Sequence, residues 1–247
     1  MLITSVNNDH IKELYKLKEK KYRDSTNTFL VEGEHLVLEA YKENQIIELL
    51  LEQDTLFPVA IKPTYVTKEI LKKLSDNISV PNVIALAKKK EEKEIGERIL
   101  ILDNIQDPGN LGTIIRSCVA FNVDTLILSK DTVDMYNPKV LRATQGMLFH
   151  LNILVKDLPS TIISLKEEGY KILGTKVTHG TDVRTSKTYS HFALVMGNEG
   201  KGIKEEILSL CDEYLYIKMN ELCESLNVGV AASILLYELN NKWDTSI

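Results

Sequence analysis

Apolar positions along the chain form two kinds of pattern, short continuous runs and stripes at helical spacing. Continuous runs of strand length lie at residues 99–102, 126–128 and 192–196. Between the first two runs, apolar residues from Leu111 to Phe121 recur at the spacing of one helix face. A strand, a helix and a second strand in this order predict two parallel strands joined by a crossover helix.

The same alternation continues along the rest of the chain. Further strands are predicted at residues 29–31, 46–51, 65–66, 83–87, 148–155, 171–175 and 214–217. Helices are predicted at residues 33–41, 159–168 and 225–240, and after Thr67 and Asn137. Strands separated by helices of this length predict an α/β fold with a mostly parallel sheet and helices on both faces.

A charge-rich run at residues 88–94, followed by Gly96, is typical of a solvated linker. We therefore predict a linker at about residues 88–96, a smaller α/β domain over residues 1–96 and a second α/β domain over residues 97–247. With 247 residues, of which 44% are apolar and 26% charged, the chain suits a soluble globular protein of one large or two modest domains.

Composition excludes several classes of protein. No apolar run is long enough to span a bilayer and the first residues lack a secretory pattern, so we expect no membrane partner. The cysteines, Cys118, Cys211 and Cys223, show no CxxC spacing, which favours a reducing cytoplasm over a disulfide framework or a zinc site. The histidines show no ligand spacing, so no metal is expected.

The net charge of -5 argues against a protein that coats nucleic acid by bulk positive charge, yet one local basic stretch exists at residues 10–23. Its cations are Lys12, Lys16, Lys18, Lys20, Lys21 and Arg23, against Glu13 and Glu19. Apolar residues between them give the stretch an amphipathic pattern. Two interpretations stay open, a solvated amphipathic helix and an arm that contacts phosphates.

Three segments that follow predicted strands carry candidate chemistry, because ligands of parallel sheets bind at the carboxyl ends of strands. The first contains a turn at residues 107–110, with Asn110 predicted as the helix N-cap and Arg116 within the helix. The second, residues 197–202, is glycine-rich but fails as a phosphate loop, since Ile203 stands where lysine is needed. No GxGxxG follows any predicted strand.

The third segment covers residues 217–231 and opens the last predicted helix. Ser225 is a natural N-cap, so simple capping is one explanation for it. Asn227 lies inside the first turn of an apolar helix, where a short amide is a poor helix former, and it reads as a polar group directed at a ligand.

Taken together, these segments resemble the three ordered motifs of a known family. They read N-x3-PGN-x-G-x3-R (residues 104–116), MGNEGKGI (residues 196–203) and ESLNVGVAASILLYE (residues 224–238). In this order they are similar to the motifs of the SpoU (TrmH) family of RNA 2'-O-ribose methyltransferases, in the SPOUT superfamily. The segment KVLRATQGMLFH (residues 139–150) and the N-terminal stretch also resemble family members that carry an RNA substrate-binding domain.

The resemblance implies S-adenosylmethionine as methyl donor, a C-terminal trefoil knot, and a homodimer whose active site takes residues from both subunits. It implies RNA as partner, and ribosomal RNA is favoured because members with such an N-terminal domain mostly modify it. The donor would lie against Thr175, Gly197, Ile217, Met219 and Leu226. The polar centre around the acceptor ribose would consist of Asn104, Arg116, Glu199, Ser225 and Asn227.

The chemistry adds one hypothesis to this resemblance. The family's proposed base is Arg116, but a guanidinium with a pKa above ~12 does not readily release a proton. We therefore expect Arg116 to hold a phosphate and stabilise the developing alkoxide, with Asn104 and Asn227 orienting ribose and arginine and Glu199 holding Asn104 or Arg116 in place.

Departures from the family pattern include Gly229, where serine is often found, and two positions of the loop expected to wrap the donor. The third motif usually has proline and glycine at the positions of Lys218 and Glu221. Because backbone atoms carry much of the donor contact, we expect donor binding to survive. The alternatives are a catalytically inactive RNA-binding protein on the same scaffold, transfer RNA as substrate, and a nucleotide-dependent enzyme of doubly wound fold, which the missing phosphate fingerprints disfavour.

Overall fold

The computed structural model describes residues 2–244, with side chains over residues 2–241. The chain divides into two compact units. Unit 1 comprises Met1–Glu91 and Asp134–His150, and unit 2 comprises Glu92–Val133 and Leu151–Ile247. Across the described residues, no helix is both long and apolar enough to cross a membrane.

Unit 1 contains a five-stranded sheet with both parallel and antiparallel pairs, together with helices. Its first elements are β1 (Leu2–Ile3), α1 (Asp9–Lys16), α2 (Lys20–Thr26), β2 (Thr28–Glu32), α3 (Glu34–Lys42), β3 (Ile46–Glu52), β4 (Thr64–Val66), α4 (Lys68–Leu74) and β5 (Val83–Lys88). The strand order among the described residues is β1-β4-β3-β5-β2. Only β5 runs antiparallel to its neighbours, β2 and β3. Ile11 and Leu14 of α1 pack with Ile70 of α4 and Leu50 of the sheet in one buried cluster.

The basic stretch at residues 10–23 is not one helix, because α1 ends at Lys16 and α2 begins at Lys20. Arg23 accounts for the break. Its guanidinium turns inward, is only 4% exposed, and donates to the carbonyls of Leu17 and Lys18 at 2.8 and 2.7 Å. It also pairs with Asp134 at 2.5 Å. The carbonyls left open by the break are therefore satisfied by a side chain.

Unit 2 contains the larger sheet. The remaining elements of the chain are β6 (Arg98–Leu102), α5 (Pro108–Ala120), β7 (Thr125–Ser129), α6 (Pro138–Thr144, in unit 1), β8 (Asn152–Lys156), α7 (Leu158–Glu167), β9 (Lys171–Thr175), β10 (Thr181–Asp182), β11 (Phe192–Met196), α8 (Glu205–Leu208), β12 (Glu213–Tyr216) and α9 (Val228–Asp244). The strand order in the described part is β10-β12-β9-β11-β6-β7-β8. Every pair in it is parallel. The predicted α/β fold with a mostly parallel sheet is thus confirmed.

Both faces of the larger sheet are covered. Ile99 and Ile101 of β6 belong to the cluster that packs against Ile162 of α7. Leu100 and Leu102 alternate with them along the strand and are fully buried as well. The central strand β11 lies between β9 and β6, and all its residues are buried, as expected for a continuous apolar run.

The segment 134–150 packs within unit 1. The predicted division at residues 96 and 97 had assigned it to the second domain. The ring centres of Tyr136 and Phe149 lie 4.5 and 6.3 Å from the ring centre of Phe29 in β2. The predicted strand at residues 148–155 is also wrong in its first half. Met147–His150 form a 3-10 helix, and β8 begins at Asn152. The apolar run reads as one strand because its first residues are buried in unit 1 and its last in unit 2.

Candidate active site

A cavity lies at the carboxyl ends of three neighbouring strands of unit 2, β12, β9 and β11. It has a volume of about 620 Å³ and is lined by residues that follow these strands and by the start of α9. The cavity thus lies at the carboxyl ends of parallel strands, where open α/β sheets bind ligands, and its volume falls within the roughly 300–1,000 Å³ of small-molecule pockets.

The residues predicted to hold a methyl donor come together around this cavity. All of them line it: Thr175, Gly197, Ile217, Met219 and Leu226. The hydroxyl of Thr175 donates to the carbonyl of Val195 at 3.0 Å, which ties the end of β9 to β11. Leu215 and Leu235 add buried apolar surface to the wall. The arrangement offers a cleft with an apolar wall that is also lined by polar side chains such as Asn198 and Ser225.

The glycine loop, residues 197–202, forms a closed turn beside the cavity. The backbones of Asn198 and Gly202 exchange two hydrogen bonds of 2.9 Å. The side-chain oxygen of Asn198 accepts from the N–H groups of Gly200 and Lys201 at 3.0 and 3.1 Å. Its amide nitrogen donates to the carbonyl of Asn104 at 2.8 Å. One side chain therefore shapes the loop and fixes it to the end of β6.

Both ends of the glycine loop are constrained. Gly197 is buried, and a Cβ there would overlap the backbone of Gly202 and Ile203. On the far side, the N–H of Lys204 donates to the carboxylate of Asp103, which is 1% exposed, at 2.8 Å. The hydrogen bond to Asp131, together with the charge of Asp103, raises the pKa of the Lys204 ammonium above its usual value.

Asn110 joins the three candidate segments. It is not the N-cap of α5 as predicted; that cap is Asp107, whose carboxylate accepts from the N–H of Asn110 at 2.8 Å, with Pro108 first in the helix. The side chain of Asn110 is consequently free to donate to Glu199 at 3.0 Å and to accept from Asn227 at 2.9 Å. Residues from all three motifs meet at this amide.

The start of α9 also differs from its prediction. The helix begins at Val228, and Asn227 instead of Ser225 caps it. The side-chain oxygen of Asn227 accepts from the N–H groups of Gly229 and Val230 at 2.9 and 3.2 Å. A cap with a side-chain amide satisfies the open helix end with its oxygen and keeps its NH2 group for another partner. Ser225 is exposed and lines the cavity.

The structure places Asn104 and Arg116 outside the cavity lining. Asn104 has a positive φ of 63°, and its side-chain oxygen accepts from Gln106 at 2.5 Å. Arg116 is exposed on α5, and its guanidinium makes no hydrogen bond or ion pair with residues 2–241, the range whose side chains are described. The carboxylate of Glu199 holds Asn110 and not Asn104 or Arg116.

Three positioning residues were missed from the sequence, namely Asp103, Asn110 and Asn198. The Asp107-Pro108 pair was the signal for Asn110, because Asp at the N-cap with Pro at the first helical position is a common helix start. Asp103 and Asn198 act through contacts with loops that are distant in sequence, which no local sequence pattern predicts. Within the described residues, no group of three or more His, Cys, Asp or Glu side chains could hold a metal ion.

Comparison with known families gives two matches along the chain. The profile of the SpoU rRNA Methylase family matches residues 97–237. The profile of the MRM3-like substrate binding domain matches residues 8–85.

Individual proteins are similar over nearly the whole length. The 23S rRNA (guanosine(2553)-2'-O)-methyltransferase RlmP of Bacillus subtilis is 38% identical over 243 residues, covering 96% of this chain and 98% of its own. A crystal structure described as an RNA 2'-O ribose methyltransferase superimposes with a TM-score of 0.83 at 29% identity, covering 98% of this chain and 99% of that one. An AdoMet-bound rRNA methyltransferase from Sinorhizobium meliloti gives 0.86 at 26% identity, covering 98% of both chains.

Proposed function

The chain belongs to the SpoU rRNA methylase family, and from that premise we propose that it methylates a ribose 2'-hydroxyl of ribosomal RNA with S-adenosylmethionine. The observation that carries the proposal is the meeting of Asn110, Glu199 and Asn227 beside the cavity. The match of residues 8–85 to a substrate-binding domain supports RNA as the partner.

The cavity suits S-adenosylmethionine, the donor that supplies an electrophilic methyl group on a sulfonium. Its volume of about 620 Å³ and its apolar wall fit a ligand of this size. The residues that would hold the donor are Thr175, Gly197, Ile217, Met219 and Leu226. The glycine loop is closed by its own hydrogen bonds, so little ordering is needed when a ligand binds.

The two departures from the family motif leave this lining intact. Ile217 and Met219 line the cavity, whereas Lys218 and Glu221 are exposed and do not. This supports the expectation that donor binding survives both changes.

Transfer to a ribose hydroxyl requires alignment of the acceptor and stabilisation of the charge that develops on its oxygen. Arg116 carries a guanidinium without a protein partner among the described residues, which leaves it available to an RNA phosphate. Because a guanidinium does not readily release its proton, Arg116 stabilises the alkoxide while the proton passes to phosphate oxygen or water. Ser225, exposed at the cavity edge, lies where it can hydrogen-bond the ribose.

The remaining polar residues position the site. Glu199 and Asn227 hold the amide of Asn110 from opposite sides, which fixes the start of α5 against the glycine loop and α9. Asn104 contributes its carbonyl to Asn198 and thereby anchors the glycine loop. Each of these groups acts on the geometry of the cleft and leaves the chemistry to Arg116.

The proposal extends to assembly and location. We take the active form to be a homodimer, because Arg116 does not line its own cavity and apolar Leu222 and Tyr237 are 94% and 51% exposed. We also propose a C-terminal trefoil knot, which membership of the family supports. Within this proposal unit 1, which contains the match at residues 8–85, binds the RNA, and unit 2 carries out catalysis. The free state of the three cysteines suits a cytoplasmic protein.

Incubation with methyl-labelled S-adenosylmethionine tests the function. Ribosomal RNA from cells that lack the gene should take up label, and total transfer RNA should not. Calorimetric titration with S-adenosylmethionine runs in parallel. Donor binding without label in either RNA would identify an inactive RNA-binding protein, and label confined to transfer RNA would overturn the substrate.

A further inference from the structure

A second surface of functional interest lies entirely in unit 1, on α1, α2 and α4. Two tyrosine rings there have lysine ammonium groups within 6 Å of their centres. We define this lysine-tyrosine patch by the following residues: Tyr15, Lys16, Lys18, Lys21, Tyr22 and Lys73. Nothing in the proposed chemistry at the cavity uses it.

Tyr15 is the most accessible ring of the patch. It is 45% exposed, with the Nζ atoms of Lys18 and Lys73 at 5.1 and 5.6 Å from its ring centre. Both lysines are anchored, Lys18 by Asp76 at 2.8 Å and Lys73 by the carbonyl of Val6 at 2.7 Å. The ring and the two cations are thus held in place before any ligand arrives, which lowers the entropic cost of binding.

Tyr22 adds a second, less exposed ring beside further cations. It packs partly buried against the core cluster of unit 1. The Nζ atoms of Lys21 and Lys16 lie 4.8 and 5.8 Å from its ring centre. These lysines pair with Glu19 and Glu13 at 3.0 and 2.7 Å. Such exposed ion pairs are weak because water and salt screen them, so a phosphate can replace the carboxylates.

Aromatic rings interleaved with cations are the arrangement that binds single-stranded nucleic acid, since bases stack on the rings while phosphates meet the cations. We propose that the lysine-tyrosine patch binds an unpaired stretch of the RNA substrate, with one base stacked on Tyr15 and neighbouring phosphates on Lys18 and Lys73. This inference rests on the proposed function and identifies the face of unit 1 that contacts the RNA.

The test compares Tyr15→Ala, Tyr15→Phe and Ile47→Ala in the full-length protein. Stacking of one base contributes about 1–3 kcal/mol, so Tyr15→Ala should weaken binding of an unstructured RNA oligonucleotide by roughly 5- to 150-fold. Tyr15→Phe keeps the ring and should restore binding. Ile47→Ala removes an apolar side chain of unit 1 that is 53% exposed, and should leave RNA binding unchanged.

A second readout is covalent. An iodouracil-substituted oligonucleotide, photoactivated on the wild-type protein, should crosslink to Tyr15, and the same sequence in a duplex should not. Thermal unfolding of each variant shows whether it is folded. Should Tyr15→Ala lower the stability, the crosslink in the unaltered protein decides the case.

The outcomes separate this inference from the proposed function. Unchanged RNA affinity of Tyr15→Ala, or crosslinks confined to other residues, would overturn the patch while a wild-type protein that still methylates RNA leaves the function standing. Equal crosslinking to duplex RNA would also overturn the proposed role of the patch. So would a Tyr15→Ala variant that keeps its RNA affinity and instead loses binding to a ribosomal protein. A wild-type protein that binds neither RNA nor S-adenosylmethionine contradicts the function itself.

Discussion

Gly197 and Gly200 provide a matched pair for testing the shape of the donor site. Both belong to the glycine loop, but only Gly197 lies where the loop folds back on itself. A Cβ at Gly197 would come under 3.0 Å from the backbone of Gly202 and Ile203, which no side-chain rotation can relieve. A Cβ at Gly200 would meet only the side-chain oxygen of Asn198, at an ordinary 3.8 Å.

The expected effects differ accordingly. Overpacking against backbone costs about 1–3 kcal/mol, and the loop can avoid it only by moving away from its bound shape. Gly197→Ala should therefore weaken S-adenosylmethionine binding by roughly 5- to 150-fold. Gly200→Ala should keep its affinity within about threefold and gain up to about 1 kcal/mol of stability from a more restricted unfolded chain.

Isothermal titration calorimetry with S-adenosylmethionine measures both affinities, and thermal unfolding confirms that both variants fold. Equal affinities for the two variants would refute the reasoning, because the close approach at Gly197 would then have no bearing on donor binding. A loss in Gly200→Ala alone would place the donor against the tip of the loop, where Gly200 also lines the cavity.

Three further predictions concern rates and reactivity. Asn110→Ala removes two hydrogen bonds, each worth about 0.5–1.5 kcal/mol and the one to the carboxylate of Glu199 worth more, so methylation should slow roughly 10- to 100-fold. Asn122→Ala, at an exposed position just after α5, should leave the rate unchanged. Equal rates for the two variants would contradict the network. Arg116→Ala should lower kcat by roughly 10²–10³-fold with donor affinity intact, and an unchanged kcat would exclude its role. At a pH of about 8, an alkylating reagent should modify exposed Cys223 before Cys211, because only the thiolate reacts and burial raises the pKa of Cys211 to about 11. Mass spectrometry of the labelled peptides gives the order of modification. The reverse order would contradict the burial of Cys211.

Most strands of unit 2 could be predicted because each is decided by its own residues, whereas the two-residue strand β10 was not predicted. The run at residues 192–196 is apolar throughout, which only a strand buried on both faces tolerates, and it became the central strand β11. The run at residues 148–155 was misread because its apolar residues serve two different cores. A continuous apolar run carries no mark of such a division.

The polar site was harder to predict, since its contacts join residues far apart along the chain. Each motif supplied candidate side chains, but Asn110 was assigned to a local cap, whereas its amide hydrogen-bonds to Glu199 and Asn227. Capping residues compete for the same helix end, and Pro108 settles the competition in favour of Asp107. Whether the side chain of an Asn caps its own helix, contacts another segment or does both depends on tertiary contacts.

The central claim is that this cleft directs methyl transfer to a ribose oxygen. Its most direct test is the position of the methyl group in ribosomal RNA treated with the protein and S-adenosylmethionine, then digested to nucleosides and analysed by mass spectrometry. The account predicts a nucleoside methylated on its ribose 2'-oxygen, formed by the wild-type protein and greatly reduced with Arg116→Ala. A methyl group on a base, or equal ribose methylation by both proteins, would contradict it.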